Sequence, residues 1–457
     1  MKRILLQALE FSLVAVLMSG CYHGHHKELQ FGKKVSELTE DELRLRNEIL
    51  TKNYTVDRSG TTSWSTGSID LNKPTRIILQ VDGGGIMGIT PAVVLNELDR
   101  RLQKKSGKEL RDICSIVSGT STGAIITGML AAGVKTETIK TFYTEDGVRL
   151  FQSEGRQWAF PIRPKFSRPI FQDRLLTMMD HDAVPRQITL GEMKKGPWLI
   201  IPAYDLRSRR TVYFTNHSLD PHSPMAENLD GTRLADAISA SGLSAPWYFG
   251  KLISPAFVWD QTTPEGVSTW EVGAAFQDGG QGTQNNTLGL LLLLGLCQGW
   301  AEDGQQLIII SLGTGSDYSP RSFGRVKNYS LFAQAIDFIR NQARAESIQL
   351  QVRAVRLAAQ MADNVKFFRF DYTKGKKAND FSSKRHKDYV RAGEDIVKRP
   401  EFEQLAESLT ALRAIRKGNL KVPEIVPTSP DEEVLRSLIR RALESTKEGT
   451  RSSDRER

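Results

Sequence analysis

Short apolar runs rich in β-branched residues alternate with amphipathic stretches over residues 74–320. The runs at 76–81 (RIILQV) and 306–312 (QLIIISL) have the length and composition of strands that are buried on both faces. Segments such as 122–130 instead have the small and apolar content of a packed helix. Strands that alternate with helices in this way predict an α/β domain with a mainly parallel central sheet.

The region before this domain has a different pattern. Residues 1–21 place Lys2 and Arg3 before a short apolar run and end with Met-Ser-Gly-Cys, which is the layout of a signal peptide and resembles a bacterial lipobox. We therefore expect lipidation of Cys21 and anchoring in the bacterial cell envelope, with a cytoplasmic or secreted protein as the alternative. Residues 22–73 predict a linker with one short helix.

The region after residue 320 is more helical and more charged. We predict a helical C-terminal extension over 321–425 that packs on the α/β domain, and a terminal helix with a disordered tail over 426–457. Within the extension, residues 374–398 are basic and predict a loop.

Charge and hydropathy add little to this division. The formal net charge of +9 over 457 residues suits any anionic surface, and no nucleic-acid recognition motif accompanies it, so we expect no nucleic acid as a partner. The most apolar stretch, 288–296, is far shorter than the ~20 residues that a membrane span needs, and it predicts a buried helix.

A serine lies where one predicted strand turns into a helix. The run at 113–117 (ICSIV) predicts the strand, and 119–123 (GTSTG) follows it with Ser121 in a G-x-S-x-G pattern. A serine in this context is a candidate nucleophile, because the sharp turn exposes the hydroxyl at the start of the helix. The alternative is a serine that only caps the helix.

A glycine cluster, 83–88 (GGGIMG), follows the first predicted strand directly after Asp82. Its spacing also satisfies the dinucleotide-binding pattern, but that fold needs an acid at the end of its second strand, where this chain has the serine turn. We therefore favour an oxyanion hole. The peptide amides of Gly83, Gly84 and Gly85 can point into one concavity because no side chain obstructs them.

An acid precedes a second glycine pair at 278–280 (DGG), after an apolar run that ends at Phe276. This arrangement places the carboxylate of Asp278 on a tight turn that another backbone segment can approach closely. A plain turn aspartate is the alternative interpretation.

Together, the segments 82–88, 119–123 and 278–280 resemble, in order and in context, the motifs of the patatin-like phospholipase family. Further similarities are Pro202-Ala203-Tyr204-Asp205, Asn285-Asn286 and Ser311-Leu312-Gly313-Thr314-Gly315. The resemblance covers about residues 74–320 and continues more weakly to about residue 415. One departure is Met87, where the family often has arginine.

The resemblance implies a three-layer α/β/α fold and a lipid acyl hydrolase of the phospholipase A or lysophospholipase type. Ser121 would be the nucleophile and Asp278 the general base, and the amides of Gly83, Gly84 and Gly85 would hold the oxyanion. No cofactor or metal is expected. The partners implied are a phospholipid or another fatty-acyl ester and a membrane surface.

Three alternatives remain open at this point. His386 is the one histidine that follows Asp278 in the chain, so a Ser121-Asp278-His386 triad in the α/β-hydrolase order is possible. An acyltransferase would use the same residues with an alcohol in place of water. A lipid-binding lipoprotein would keep the fold without turnover.

Overall fold

A computed structural model describes residues 39–44 and 64–416, except for 66, 158–163, 208, 218–229, 247, 263–267, 282–283, 317–329, 331–346 and 374–381. Cys21 and the predicted signal peptide lie outside the described residues, as does the predicted terminal helix with its tail over 426–457.

Nine strands in the described part of the chain form one sheet. They are β1 (Trp64–Ser65), β2 (Thr75–Val81), β3 (Ile116–Gly119), β4 (Trp198–Asp205), β5 (Arg210–Thr215), β6 (Leu252–Thr262), β7 (Ser268–Asp278), β8 (Gln306–Leu312) and β9 (Val365–Phe370). The order across the sheet is β1-β9-β8-β2-β3-β4-β7-β6, and β5 pairs with β4.

The described helices connect or flank these strands. They are α1 (Ile89–Ser106), α2 (Leu110–Ile113), α3 (Thr122–Ala132), α4 (Thr136–Thr141), α5 (Gly147–Arg149), α6 (Arg168–His181), α7 (Leu234–Gly242), α8 (Leu288–Cys297), α9 (Ser347–Met361), α10 (His386–Ile396) and α11 (Pro400–Ala411). Two π-helical segments, Phe142–Asp146 and Leu150–Glu154, follow α4 and α5. Short 3₁₀ turns cover Gly85–Gly88, Gly191–Met193, Gly279–Gln281 and Ser383–Arg385, and residues 40–44 are helical.

Five neighbouring strands, β9-β8-β2-β3-β4, are parallel, and the strands at the two edges are antiparallel. The register aligns Val81, the last residue of β2, with Gly119 of β3 and Leu312 of β8. The carboxyl ends of these strands therefore meet at one edge, where α/β proteins place their active sites. The predicted α/β class with a mainly parallel sheet is confirmed.

Helices cover both faces of the sheet because successive strand residues point to opposite sides. In β2, Ile77 and Leu79 join the core that contains α1, α3, α7 and α11. Ile78 joins the core on the other face, with α8 and α9. The result is a three-layer arrangement in which the sheet is buried on both sides.

Three local predictions are wrong. Ile113 ends α2 and β3 begins only at Ile116, so the predicted strand at 113–117 starts later and continues into the serine turn. Residues 386–396, which the sequence assigned to a basic loop, form helix α10. The extension expected to be helical contributes β9, which pairs in parallel with β8 inside the sheet. A boundary at residue 320 would therefore cut through the sheet.

Among the described residues, we find no helix with the length and apolarity that crossing a membrane requires.

Candidate active site

Ser121 lies on a strained turn between β3 and α3. Its backbone has φ 56°, a conformation that non-glycine residues rarely adopt, and only 7% of the residue is exposed. Gly123 makes the turn possible, because a Cβ at this position would lie 2.2 Å from the Val81 carbonyl oxygen. The strand, turn and helix are therefore packed too closely for a side chain at residue 123.

Two side chains hold this turn in place. The Ser121 N–H donates to Ser241 Oγ at 2.9 Å, and the Tyr143 hydroxyl donates to the Thr122 carbonyl at 3.0 Å. Burial raises the pKa of Tyr143 above its ordinary value, against the opposing effect of its hydrogen bond with Thr122. The tyrosine therefore stays neutral and keeps its donor proton through the physiological pH range.

The glycine cluster lies next to this serine. A Cβ on Gly83 would lie 3.1 Å from Ser121 Cβ, and Gly85 lines the same cleft as Ser121. The Gly83 N–H already donates to the Asn285 carbonyl at 3.2 Å. Among the described residues, neither the Gly84 N–H nor the Gly85 N–H donates a hydrogen bond. Two of the three expected amides are therefore available to a ligand in this structure.

Asp278 ends β7 and is 3% exposed. The register pairs it with Ala203 of β4, near the carboxyl end of the parallel block. Its N–H donates to the Ser244 carbonyl at 3.3 Å, and its Oδ1 accepts the Gly280 N–H at 2.8 Å. The carboxylate is thus held at the start of the tight turn that the two glycines predicted.

The Asn285 side chain lies between the glycine cluster and the turn that follows Asp278. A Cβ on Gly83 and a Cβ on Gly280 would each lie 2.4 Å from Asn285 Oδ1, and the one on Gly280 would also lie 3.2 Å from Asp278 Oδ1. The glycine cluster and the turn at 278–280 therefore meet at one amide oxygen, and Ser121 lies beside Gly83. Within the described contacts, no hydrogen bond joins the Ser121 hydroxyl to the Asp278 carboxylate.

An apolar cleft begins at Ser121. The open space at the cleft, including solvent at its mouth, is about 410 Å³, and the inner cavity is only about 20 Å³. Its walls are mainly aromatic and aliphatic, from Ile125, Phe142, Phe151, Phe171, Leu243 and Phe249. The two π-helical segments supply Phe142 and Phe151, in keeping with the frequent occurrence of π-helices at functional sites. The walls have the chemistry of a site for an apolar ligand group.

Residues 79–291 match a family model described as patatin-like phospholipase. This segment belongs to the patatin-like phospholipase family. The chain is 32% identical to Patatin-like protein 2 of Arabidopsis thaliana over 187 residues, which are 37% of this chain and 42% of that protein. It is 28% identical to Patatin-15 of Solanum tuberosum over 261 residues, which are 52% of this chain and 60% of that protein.

The chain thus spans about two fifths to three fifths of the length of these relatives. Among solved structures, VipD from Legionella pneumophila is 13% identical with a TM-score of 0.36, over 79% of this chain and 73% of that one. This structural likeness is too weak to support an inference. The family assignment rests on the sequence match over the patatin-like segment, and the roles of individual residues rest on the geometry of this chain.

The described histidines of the patatin-like chain lie away from the cleft. His181, His217 and His386 are absent from its walls. His386 begins α10, and its Nδ1 lies 2.9 Å from the Ser383 carbonyl oxygen. Because a carbonyl oxygen can only accept a hydrogen bond, Nδ1 carries the ring hydrogen and donates it. No described contact joins His386 to Ser121 or Asp278, so the Ser-Asp-His alternative gains no support.

A buried ion-pair network lies beneath the glycine cluster. Arg369 Nη2 contacts Asp82 Oδ2 at 2.6 Å and Asp371 Oδ2 at 2.7 Å, and each of the three residues is at most 3% exposed. Burial alone would lower the pKa of Arg369, but the adjacent charges of Asp82 and Asp371 raise it above its ordinary value. The guanidinium therefore stays charged and ties β9 to the residue that precedes Gly83.

Sequence reasoning assigned no role to three residues of the site. Ser241 holds the Ser121 amide, Thr314 Oγ1 donates to the Gly83 carbonyl at 2.6 Å, and Arg369 contacts Asp82. Thr314 lies in the segment 311–315, which the family resemblance had already singled out. Neither Ser241 nor Arg369 carries a local motif.

In the described part of the chain, no group of three or more His, Cys, Asp or Glu side chains could hold a metal ion.

Proposed function

We propose that this protein is a lipid acyl hydrolase that cleaves fatty-acyl esters of phospholipids or lysophospholipids through an acyl-serine intermediate on Ser121. The observation that carries the proposal is the strained turn of Ser121 at the head of an aromatic-lined cleft, beside the Gly84 and Gly85 amides, which donate to no acceptor in the described part of the chain. The family match over residues 79–291 supports the same class of reaction.

In the proposed reaction, Asp278 takes the hydroxyl proton of Ser121 while the serine oxygen attacks the ester carbonyl. This requires the hydroxyl and the carboxylate to approach to about 2.6–3.2 Å when substrate is bound, because catalytic hydrogen bonds often tighten only in the complex. The proton then passes to the departing alcohol. A water molecule, activated by the same carboxylate, hydrolyses the acyl-serine and regenerates the hydroxyl.

Negative charge develops on the carbonyl oxygen during each attack. The amides of Gly84 and Gly85 are the proposed donors to this oxyanion, because the Gly83 amide is already bonded to Asn285. The partial positive charge at the start of α3 acts in the same direction. Removing one such donor typically costs about 10²–10³ in kcat.

The apolar cleft is the proposed site of the acyl chain. Each methylene group transferred from water to an apolar wall contributes about 0.8 kcal/mol. Aromatic walls such as Phe151 and Phe171, whose ring centroids lie 5.1 Å apart, therefore favour acyl chains over polar groups. We accordingly expect long-chain esters to be better substrates than acetyl esters.

The test is mass analysis of the products formed from defined phospholipids and lysophospholipids. Ser121→Ala and Asp278→Asn should each reduce hydrolysis by several orders of magnitude, while the control His386→Ala should leave it nearly intact. Loss of activity in His386→Ala would favour the Ser-Asp-His triad. A wild-type protein that releases no fatty acid and is not labelled on Ser121 by a fluorophosphonate would be a lipid-binding protein instead.

We also propose that lipidation of Cys21 anchors the protein in the bacterial cell envelope and brings the cleft to a membrane surface. The support is the order of a positive start, an apolar run and the Met-Ser-Gly-Cys end within residues 1–21. Two acyl chains on one cysteine would give a stable anchor without a membrane-spanning segment.

A further inference from the structure

Two side chains donate hydrogen bonds to the carbonyl of Gly83. Thr314 Oγ1 lies 2.6 Å from this oxygen and Asn285 Nδ2 lies 3.3 Å from it. The same peptide group carries the N–H of Gly84. In a trans peptide the N–H points opposite to the carbonyl, so holding the carbonyl also fixes the direction of the Gly84 N–H.

Thr314 is itself held by the buried ion-pair network. The next residue, Gly315, donates its N–H to Asp371 Oδ1 at 2.8 Å. Arg369 then joins Asp371 to Asp82, the residue that precedes Gly83. These contacts form a closed ring. It runs from the Gly83 carbonyl to Thr314 and Gly315 in the loop after β8, then through Asp371 and Arg369 to Asp82, which precedes Gly83. Each charged or hydroxyl side chain in this ring is at most 3% exposed.

The ring holds the Gly83 carbonyl and so places the Gly84 N–H on the opposite side of the peptide. Thr314 and Asn285 occupy the side of the peptide that faces away from the Gly84 N–H. Ser121 lies beside Gly83, and Gly85 lines the cleft that contains Ser121. In the described part of the structure this amide has no protein acceptor, as an oxyanion donor requires before substrate binds.

We propose that Thr314 is a positioning residue that orients and polarises the Gly83–Gly84 peptide, so that the Gly84 N–H is aimed at the oxyanion of the ester attacked by Ser121. The inference rests on the proposed hydrolase function and adds to it a residue outside the family match, which ends at residue 291. When the carbonyl of a peptide group accepts a hydrogen bond, the N–H of the same peptide group becomes a stronger donor. Thr314 therefore acts on both the direction and the donor strength of the Gly84 N–H.

The two effects predict a change in kcat and not in KM. The oxyanion is more negative than the ground-state carbonyl, so a misdirected amide weakens the transition state more than substrate binding. Loss of the hydroxyl leaves the amide present and Asn285 in contact with the carbonyl. We therefore expect a loss smaller than complete donor removal, about 10- to 100-fold in kcat.

The experiment compares Thr314→Val with Thr314→Ser in the full chain, by steady-state hydrolysis of one soluble lysophospholipid and by thermal melting. Valine keeps the shape and removes the donor, whereas serine keeps the donor. Thr314→Val should lower kcat with little change in KM, and Thr314→Ser should recover most of the wild-type kcat. The matched control is Thr90→Val, since the buried Thr90 hydroxyl donates to the Tyr389 carbonyl at 2.8 Å.

A Thr314→Val protein that melts like the control yet keeps the wild-type kcat would overturn the inference while leaving the hydrolase function standing. A wild-type protein without hydrolysis would overturn both.

If Thr314→Val does not fold, Arg369→Lys provides the second route. One ammonium cannot reproduce the guanidinium contacts to Asp82, Asp371 and Ser311, so kcat should fall with KM unchanged. Unchanged kcat in a folded Arg369→Lys protein would equally contradict the role of the ring.

Discussion

Ser121 is held in a backbone conformation that its own side chain disfavours. Strain of this kind costs about 1–3 kcal/mol and persists only where the surroundings enforce it. Here the surroundings are the Ser241 hydroxyl on the Ser121 amide and the Tyr143 hydroxyl on the Thr122 carbonyl. The backbone geometry of Ser121 therefore depends on residues from two other elements.

We predict that Tyr143→Phe lowers the free energy of unfolding at pH 7 by about 1–3 kcal/mol, because the buried Thr122 carbonyl loses its donor. The difference from wild type should shrink at alkaline pH. Burial raises the folded-state pKa of Tyr143, so its stabilising contribution is complete below the unfolded-state pKa of about 10 and falls as pH rises beyond it.

Urea unfolding of both proteins between pH 7 and pH 11 provides the measurement. Tyr213, whose pKa burial raises to about 12, contributes the same dependence to both proteins and cancels in the difference. If the difference in unfolding free energy between wild type and Tyr143→Phe stays constant from pH 7 to pH 11, Tyr143 is not a buried, neutral side chain.

At this scale, the sequence could predict the residues that lie in short, recognisable motifs. Ser121, Asp278 and the glycines stand in short motifs whose turns require those residue types. Arg369 could not be found in this way. It is separated from Asp82 by 287 positions, and a single arginine in an apolar run indicates no partner.

At the scale of elements, β9 changes where the catalytic domain ends. It extends the parallel block beyond β8 over six residue pairs and places Phe368 and Phe370 in the same core as α1. Helix α11 covers that core with Phe402, Leu405 and further apolar residues. The region after residue 320 is therefore part of the hydrophobic core of the patatin-like unit.

We predict that a chain ending at residue 320 does not fold cooperatively, whereas a chain ending at residue 416 does. The shorter chain lacks the fully buried Phe367, Phe368, Phe370 and Phe402, each of which contributes about 1.5–3 kcal/mol by burial. It also leaves Asp82 buried without its guanidinium partner. Together these losses approach the whole stability of a typical domain.

Circular dichroism during thermal unfolding tests this prediction, with the chain ending at residue 416 as the control. A cooperative transition of the shorter chain at the same temperature as the control would show that the boundary at residue 320 is correct after all.

The elements differ in how well periodicity predicted them. β2 and β8 each contain an uninterrupted apolar run, at 77–79 and 307–310, and the sequence located both strands within one residue. β9 has the sequence VKFFRF, in which Lys366 and Arg369 interrupt the apolar run. Helix α10 has only three buried residues and a basic start, so its local pattern resembled a loop. In both cases tertiary contacts, which a local pattern does not contain, decide the structure.

At the scale of the whole molecule, the proposed function requires the cleft to meet a lipid aggregate. The formal net charge of +9 favours approach to an anionic membrane surface. A lipid anchor at Cys21 would hold the enzyme at such a surface, and residues 22–73 would connect it to the α/β domain.

We predict that Cys21→Ser abolishes N-terminal lipidation and moves the protein from the membrane fraction to the soluble fraction. Mass spectrometry of the mature N-terminus and fractionation of cells give the two measurements. Wild-type-like processing and membrane association of the serine variant would contradict the proposed anchor, and unchanged hydrolysis of a soluble lysophospholipid is the control for folding.

The ring through Arg369 has a consequence for biosynthesis. A ribosome releases the glycine cluster and the serine turn early, but the guanidinium that pairs with Asp82 is synthesised 287 residues later. Pairings over such sequence separations form slowly, because the intervening polypeptide must first be brought together. A nascent chain would therefore carry Ser121 and the glycine cluster long before Arg369 can pair with Asp82, and the proposed lipid-cleaving activity would arise only after residue 369 has left the ribosome.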